Sequence, residues 1–122
     1  MKKILIVDDE PDLLQMVSIV LNFDNFETFT AGSKDKALAI LQQVIPDLII
    51  LDVNLSGYDG RDFCKELKSS TAFKHIPIQL YSADSQKLAD FELCNADGVI
   101  GKPFEIAQLT ATVKSLVTAR FN

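Results

Sequence analysis

The chain of 122 residues has no tryptophan, one histidine (His75) and two cysteines, Cys64 and Cys94. Without a C-x-x-C pair or a second histidine, a zinc site lacks its ligands. The cysteines lie far apart, both in apolar helix-like patterns, so they make no disulfide framework and read as small buried hydrophobes. No linker, low-complexity stretch or charge run interrupts the chain. Long hydrophobic runs are also missing. The run Ile4 to Val7 stops at Asp8-Asp9-Glu10, short of the roughly 7–15 apolar residues of a signal peptide. Nothing approaches the roughly 18 residues of a membrane helix. Positive charge is not in excess either, since 12 Lys and Arg face 17 Asp and Glu, a formal net charge of −5. Nucleic-acid phosphates and anionic membrane surfaces both call for clustered Lys and Arg, so neither is expected as a direct partner. A cytoplasmic, reducing location is the expectation.

What is present is an ordinary globular composition, 48% apolar, in a chain of one-domain length. A single domain over residues 1–122 is expected, large enough for a core without metal or disulfide staples. Five short apolar runs read as buried strands: Ile4 to Val7, Phe26 to Ala31, Leu48 to Leu51, Ile78 to Tyr81 and Gly98 to Ile100. Helical spacing fills the gaps. Leu13, Met16, Val17 and Val20 follow Pro11, and Ala37, Ile40, Leu41 and Val44 follow the N-cap candidate Ser33, up to Pro46. A third helix, starting near Asp59, carries Phe63, Cys64 and Leu67; Leu88, Phe91 and Cys94 mark a short fourth. The last, beginning near Pro103, carries Ile106, Leu109, Val113, Leu116 and Val117. Alternating strands and helices imply a parallel sheet with right-handed crossovers, an α/β doubly wound domain.

In such a sheet every strand ends on one rim, where ligands bind. The residues following the runs are Asp8 and Asp9, Ala31-Gly32, Asp52, Ser82 and Lys102. Adjacent strands lie about 4.8 Å apart, so carboxylates on neighbouring strand ends would nearly touch and need a cation between them. Magnesium, a hard ion with oxygen ligands, suits that place. Taken singly, Asp9 could cap a helix, Ser82 could serve a turn and Lys102 could be a surface lysine. Their conjunction on successive strand ends is the signal.

Five segments carry a resemblance. Ile4-Leu5-Ile6-Val7-Asp8-Asp9-Glu10, Pro46-Asp47-Leu48-Ile49-Ile50-Leu51-Asp52, Gly57 to Gly60, Leu80-Tyr81-Ser82-Ala83 and Gly101-Lys102-Pro103-Phe104 occur in order along the chain. Together they resemble the receiver domain of two-component response regulators, over essentially the whole length. The resemblance implies a flavodoxin-like (βα)5 three-layer sandwich with strand order 2-1-3-4-5. It also implies that Asp52 accepts a phosphoryl group, and that Asp9, Asp8 (through water), Asp52 and the Asn54 backbone carbonyl hold Mg2+. Ser82 and Lys102 would bind phosphoryl oxygens, and the Lys102–Pro103 bond would be cis. The implied donor is a phosphohistidine on a sensor kinase or histidine phosphotransfer protein, and the reader is a downstream effector protein or domain. The implied role is signalling by a phosphoprotein, not turnover of a substrate by an enzyme.

The sequence departs from the family pattern at three places. Val99 stands where many receivers have an aromatic ring, the Ser82-to-Lys102 interval is short, and Ser56 replaces a common proline. Val99 has few χ1 states and no ring to swing. Activation is therefore expected to run through Ser82 and residues 83–86. Three rival readings are weaker: a receiver that binds partners without phosphorylation, a flavin or nucleotide binder, and a haloacid-dehalogenase-type phosphatase. The first is opposed by the intact acid, hydroxyl and lysine set. The second lacks a glycine-rich phosphate loop after the first strand, and in the third the nucleophile would lie on the first strand.

Overall fold

The computed structural model describes residues 1–83 and 94–119. Its core is a five-stranded parallel sheet of β1 (Lys3–Val7), β2 (Glu27–Ala31), β3 (Leu48–Asp52), β6 (Ile78–Ser82) and β7 (Gly98–Gly101). Its order is β2-β1-β3-β6-β7, which is 2-1-3-4-5 when the sheet strands alone are counted. A small antiparallel ribbon, β4 (Asn54–Leu55) with β5 (Tyr58–Asp59), follows the sheet's central strand. Gly57 turns that ribbon with φ 73°, a conformation open to glycine at no steric cost.

Among the described residues four helices cover the faces: α1 (Pro11–Phe23), α2 (Lys34–Leu41), α3 (Gly60–Ser69) and α4 (Ile106–Ala119). Strand alternation sorts the core into two clusters. Leu5, Val7, Ile49, Leu51, Ile78 and Leu80 meet Ala37 and Leu41 of α2 and Phe63, Cys64 and Leu67 of α3. Ile4, Ile6, Leu48, Ile50, Tyr81 and Ile100 meet Val17 and Leu21 of α1 and Leu109, Val113 and Val117 of α4. Each fully buried aliphatic chain here contributes about 1.5–3 kcal/mol. Both cysteines are buried, and burial pushes the Cys64 thiol pKa up. No described helix is long and apolar enough to cross a membrane.

Local signals set most boundaries. Pro11 opens α1, and the helix closes in a Schellman turn, with Asn25 at φ 67°, Asn25 N–H on the Asn22 carbonyl and Phe26 N–H on the Leu21 carbonyl. Ser33 caps α2 by accepting from Lys36 N–H at 3.2 Å. That helix stops at Leu41 rather than running to Val44. Gln43 N–H returns to the Ile40 carbonyl in a tighter turn, and Pro46 disfavours helical backbone before it. The last helix likewise starts later than Pro103, at Ile106, with Glu105 providing the first carbonyl to Leu109 N–H. Leu88 and Phe91 of the expected short helix, and residues 84–86, lie outside the described residues.

At the edge opposite the strand ends, Lys68 Nζ bridges the Ile76 carbonyl (2.8 Å) and Asp97 Oδ2 (2.7 Å). The same Asp97 oxygen accepts from Ile78 N–H at 2.8 Å, which ties the start of β6 to the approach to β7.

Among the described residues, Gln79 is buried and polar along with Asp8, Asp52 and Ser82. Gln79 is fully buried on the Tyr81 side of β6, and neither amide atom has a hydrogen-bond partner among the described residues. Replacing an unpaired buried amide by an apolar chain of similar size removes a desolvation cost of about 1–3 kcal/mol. Gln79→Met is accordingly expected to raise the urea midpoint by the equivalent of about 1 kcal/mol. A lower midpoint would mean that a trapped water satisfies the amide.

Candidate functional site

The strand ends of β1, β3 and β6 bring the acids together. Parallel pairing sets Val7 beside Leu51 and Asp52 beside Tyr81, so Asp8 and Asp52 face each other across one strand spacing. Asp8, Asp9 and Asp52 each present a carboxylate oxygen, all within 4.8 Å of one another. Asp8 is fully buried and Asp52 is 3% exposed, whereas Asp9 is exposed.

Asp9 does not cap α1. Glu10 is the N-cap residue, without a side-chain cap, and its N–H donates instead to Asp8 Oδ1 at 2.9 Å. Asp52 Oδ1 accepts from Asn54 N–H at 3.0 Å, the first residue of the β4–β5 ribbon. Asn54 Nδ2 reaches Ser82 Oγ at 3.5 Å, and Ser82 is buried at the end of β6.

Close packing of α3 against β3 depends on Gly60. A Cβ there would lie 2.0 Å from the Asp52 carbonyl oxygen, while Gly60 N–H donates to the Val53 carbonyl at 2.7 Å. Asp59 caps the helix by accepting from Arg61 N–H at 2.9 Å.

Lys102, at the end of β7, supplies a cation to the pocket. Its backbone N–H bonds the Ser82 carbonyl, and the peptide bond to Pro103 is cis. The ammonium lies 3.1 Å from Asp8 Oδ2 and 3.0 Å from Asp52 Oδ2. Crowding of the acids is thus relieved in part by a lysine. Burial pushes the Asp52 pKa up to about 6, against the lowering effects of Asn54 N–H and Lys102 and with the Asp8 charge adding to the rise. The Lys102 pKa is raised: burial opposes its charge, but the hydrogen bonds and charges of Asp52 and Asp8 outweigh that.

Val99 is half-buried and packs with the α2–α3 side of the core. An aromatic ring is present one strand over. Tyr81 is fully buried and donates from its hydroxyl to Asp8 Oδ2 at 2.6 Å. Its ring stacks at a tilt on Phe104 with centroids 6.1 Å apart, and Lys102 Nζ lies 4.4 Å from its centre. Burial first, and the Asp8 charge second, hold the phenol well above its usual range, so it remains a donor. In the sequence Tyr81 stands only as the last residue of a run expected to be a buried strand. A buried tyrosine needs a partner for its hydroxyl, and a tyrosine one residue before the rim has the strand-end acids within reach.

The donor set fits a divalent ion in kind. Three carboxylates offer hard oxygens in one pocket, with one acid exposed to solvent.

Comparison with known proteins agrees with this geometry. The model of the response regulator receiver domain matches residues 4–114. The DNA-binding response regulator MtrA of Mycolicibacterium smegmatis is 34% identical over 117 residues, covering 93% of this chain and 50% of that protein. The DNA-binding dual master transcriptional regulator RpaA of Synechocystis is 35% identical over 122 residues, covering 96% and 49%. The chain thus spans about half the length of these curated relatives. Among solved structures, the chemotaxis response regulator CheY4 of Vibrio cholerae superposes with a TM-score of 0.88 at 32% identity, covering 95% of this chain and 98% of that one. The signal receiver domain of a Syntrophus aciditrophicus signal transduction histidine kinase gives 0.89 at 30% identity, covering 98% and 92%. With its flavodoxin-like sheet, its acid pocket and a family match over nearly all of its length, the chain belongs to the response regulator receiver domains of two-component signalling systems.

Proposed function

We propose that residues 1–122 form one phosphoacceptor receiver domain, in which Asp52 takes a phosphoryl group from a phosphohistidine of a sensor kinase or phosphotransfer protein. The observation that carries this reading is the ammonium of Lys102 held 3.0 Å from Asp52 Oδ2, on the sheet rim that also carries Asp8 and Asp9. An Asp52 carboxylate oxygen would attack phosphorus in line as the P–N bond to the donor imidazole breaks, and the imidazole would leave with a proton. A carboxylate is repelled by an incoming phosphate, so positioning and charge neutralisation supply most of the acceleration. With its pKa at about 6, Asp52 is mostly ionised at neutral pH and able to attack. Lys102 can exchange Asp8 for a phosphoryl oxygen without leaving its strand end, and the Ser82 hydroxyl can donate to another.

Asp8, Asp9, Asp52 and the Asn54 backbone carbonyl would hold Mg2+, which when bound would supply positive charge beside the phosphoryl oxygens. The product is an acyl phosphate with about two added negative charges, which can bias a surface recognised by a downstream effector. The domain speeds only its own phosphorylation and dephosphorylation, in the cytoplasm, and is not an enzyme with an external substrate. The DNA binding named for MtrA and RpaA is not assigned to this chain, whose net charge is −5.

Incubation with acetyl phosphate and magnesium, read by intact-protein mass, tests the reading. One added phosphoryl group is expected. No addition would favour a receiver that binds partners without phosphorylation, and continuous release of phosphate with no stable adduct would favour a phosphatase.

A further inference from the structure

The Asp8 carboxylate has four lone-pair positions. Glu10 N–H occupies one on Oδ1, while the Tyr81 hydroxyl and the Lys102 ammonium occupy both on Oδ2. One position remains, on Oδ1. Asp8 can therefore offer a cation, or a water bound to it, a single oxygen, whereas a two-oxygen grip on one ion is closed.

That restriction discriminates between divalent ions. Magnesium takes octahedral geometry with single-oxygen ligands and retains several waters. Calcium takes six to eight oxygens and gains from carboxylates that grip it with both. We propose that Tyr81 is a positioning residue that sets the cation preference of the acid pocket, favouring magnesium over calcium by occupying Asp8 Oδ2. This inference rests on the metal-binding reading above.

The ring matters beside the hydroxyl. Packed on Phe104 and under the Lys102 ammonium, it fixes where the hydroxyl can reach, so the donor cannot swing aside to admit a larger ion. Outer-shell hydrogen bonds to metal-binding groups typically carry about 10–100-fold in affinity, which is the scale on which removing this one is expected to act.

The test is calorimetric titration of magnesium and calcium chlorides into the wild-type chain and Tyr81→Phe at neutral pH. Phenylalanine keeps the ring and removes only the donor. Wild type is expected to bind magnesium more tightly than calcium, and Tyr81→Phe to lower the ratio of the calcium to the magnesium Kd about tenfold. Lys102→Met vacates the other position on the same oxygen and should shift the ratio in the same direction, which keeps the test open if Tyr81→Phe does not fold. An unchanged ratio in folded variants, or equal weakening of both ions, would overturn the proposal, because the hydroxyl would then only steady Asp8. Failure of wild type to bind either ion would overturn it together with the metal reading, a result distinct from binding with an unchanged ratio.

Discussion

Asp52→Asn is expected to abolish phosphoryl incorporation and, without metal, to stabilise the protein above pH 7. Both effects come from the same carboxylate. The first follows because the amide is no nucleophile toward phosphorus, and Asp8, the other acid against Lys102, is buried and held by Glu10 N–H and the Tyr81 hydroxyl. The second follows from burial. The native-state pKa of Asp52 is about 6 against an ordinary value of 3.8. Between those values the native state holds a proton that the unfolded chain has released, so stability falls as pH rises from about 4 to 6. Above that window the cost is complete, about 3 kcal/mol for a shift of about two units. Asparagine resembles the protonated form at every pH. Urea unfolding in EDTA should therefore show the variant more stable than wild type by up to about 3 kcal/mol at pH 8, with little difference at pH 4. A variant less stable than wild type at pH 8 would mean that the Lys102 ion pair outweighs burial. Full labelling of the variant by acetyl phosphate would remove Asp52 as acceptor.

Lys102→Met should act in the opposite sense. The lysine side chain is 16% exposed and lies between two carboxylates of 0% and 4% exposure. Removing one partner of a buried ion pair typically costs about 3–5 kcal/mol, because the charge left behind has neither solvent nor counter-ion. Here two charges are left. A loss of about 3 kcal/mol is expected at pH 8 in EDTA. The loss should shrink below pH 6, where Asp52 takes up a proton. Magnesium should recover more stability in the variant than in wild type, since it would then be the pocket's main positive charge. Equal losses at pH 5 and pH 8 would assign the lysine's contribution to packing of its methylenes instead.

The fold was largely legible because its signals are local. Alternating apolar runs and helical spacings, with Pro11, Ser33 and Asp59 at helix starts, placed every strand of the sheet and the helices seen among the described residues. What failed were helix ends. Val44 keeps the helical spacing yet lies beyond the end of α2, because the proline two residues on acts through backbone sterics that a hydrophobic pattern does not record. The shared rim was readable from strand ends, since a parallel sheet converts position in sequence into position on a rim, while the adjacency of the first and third strands that brings the acids together came from the family resemblance. Tyr81 was not readable, because its ring and its hydroxyl follow different rules. The ring satisfies the core pattern completely, and only the three-dimensional neighbour, Asp8, shows what the hydroxyl is for. Gln79 lies within the run Ile78 to Tyr81 that reads as a buried strand, and it is buried there despite its polarity.

Tyr81 and Ser82 are consecutive and point to opposite sides of β6, one toward the α1–α4 layer and one toward the Asn54 amide. Because side chains alternate along a strand, a slip of a single residue in the pairing of β6 would exchange them. The serine would then face the Phe104 side and leave a void, while the phenol would crowd the strand-end pocket. Leu80 and Gln79 would be exchanged at the same time, putting an amide among Leu51, Phe63 and their neighbours. A chain trapped in the wrong pairing is therefore penalised in the apolar layers and in the acid pocket together. Pocket assembly and sheet pairing are thus linked, and a form misregistered by one residue loses both together.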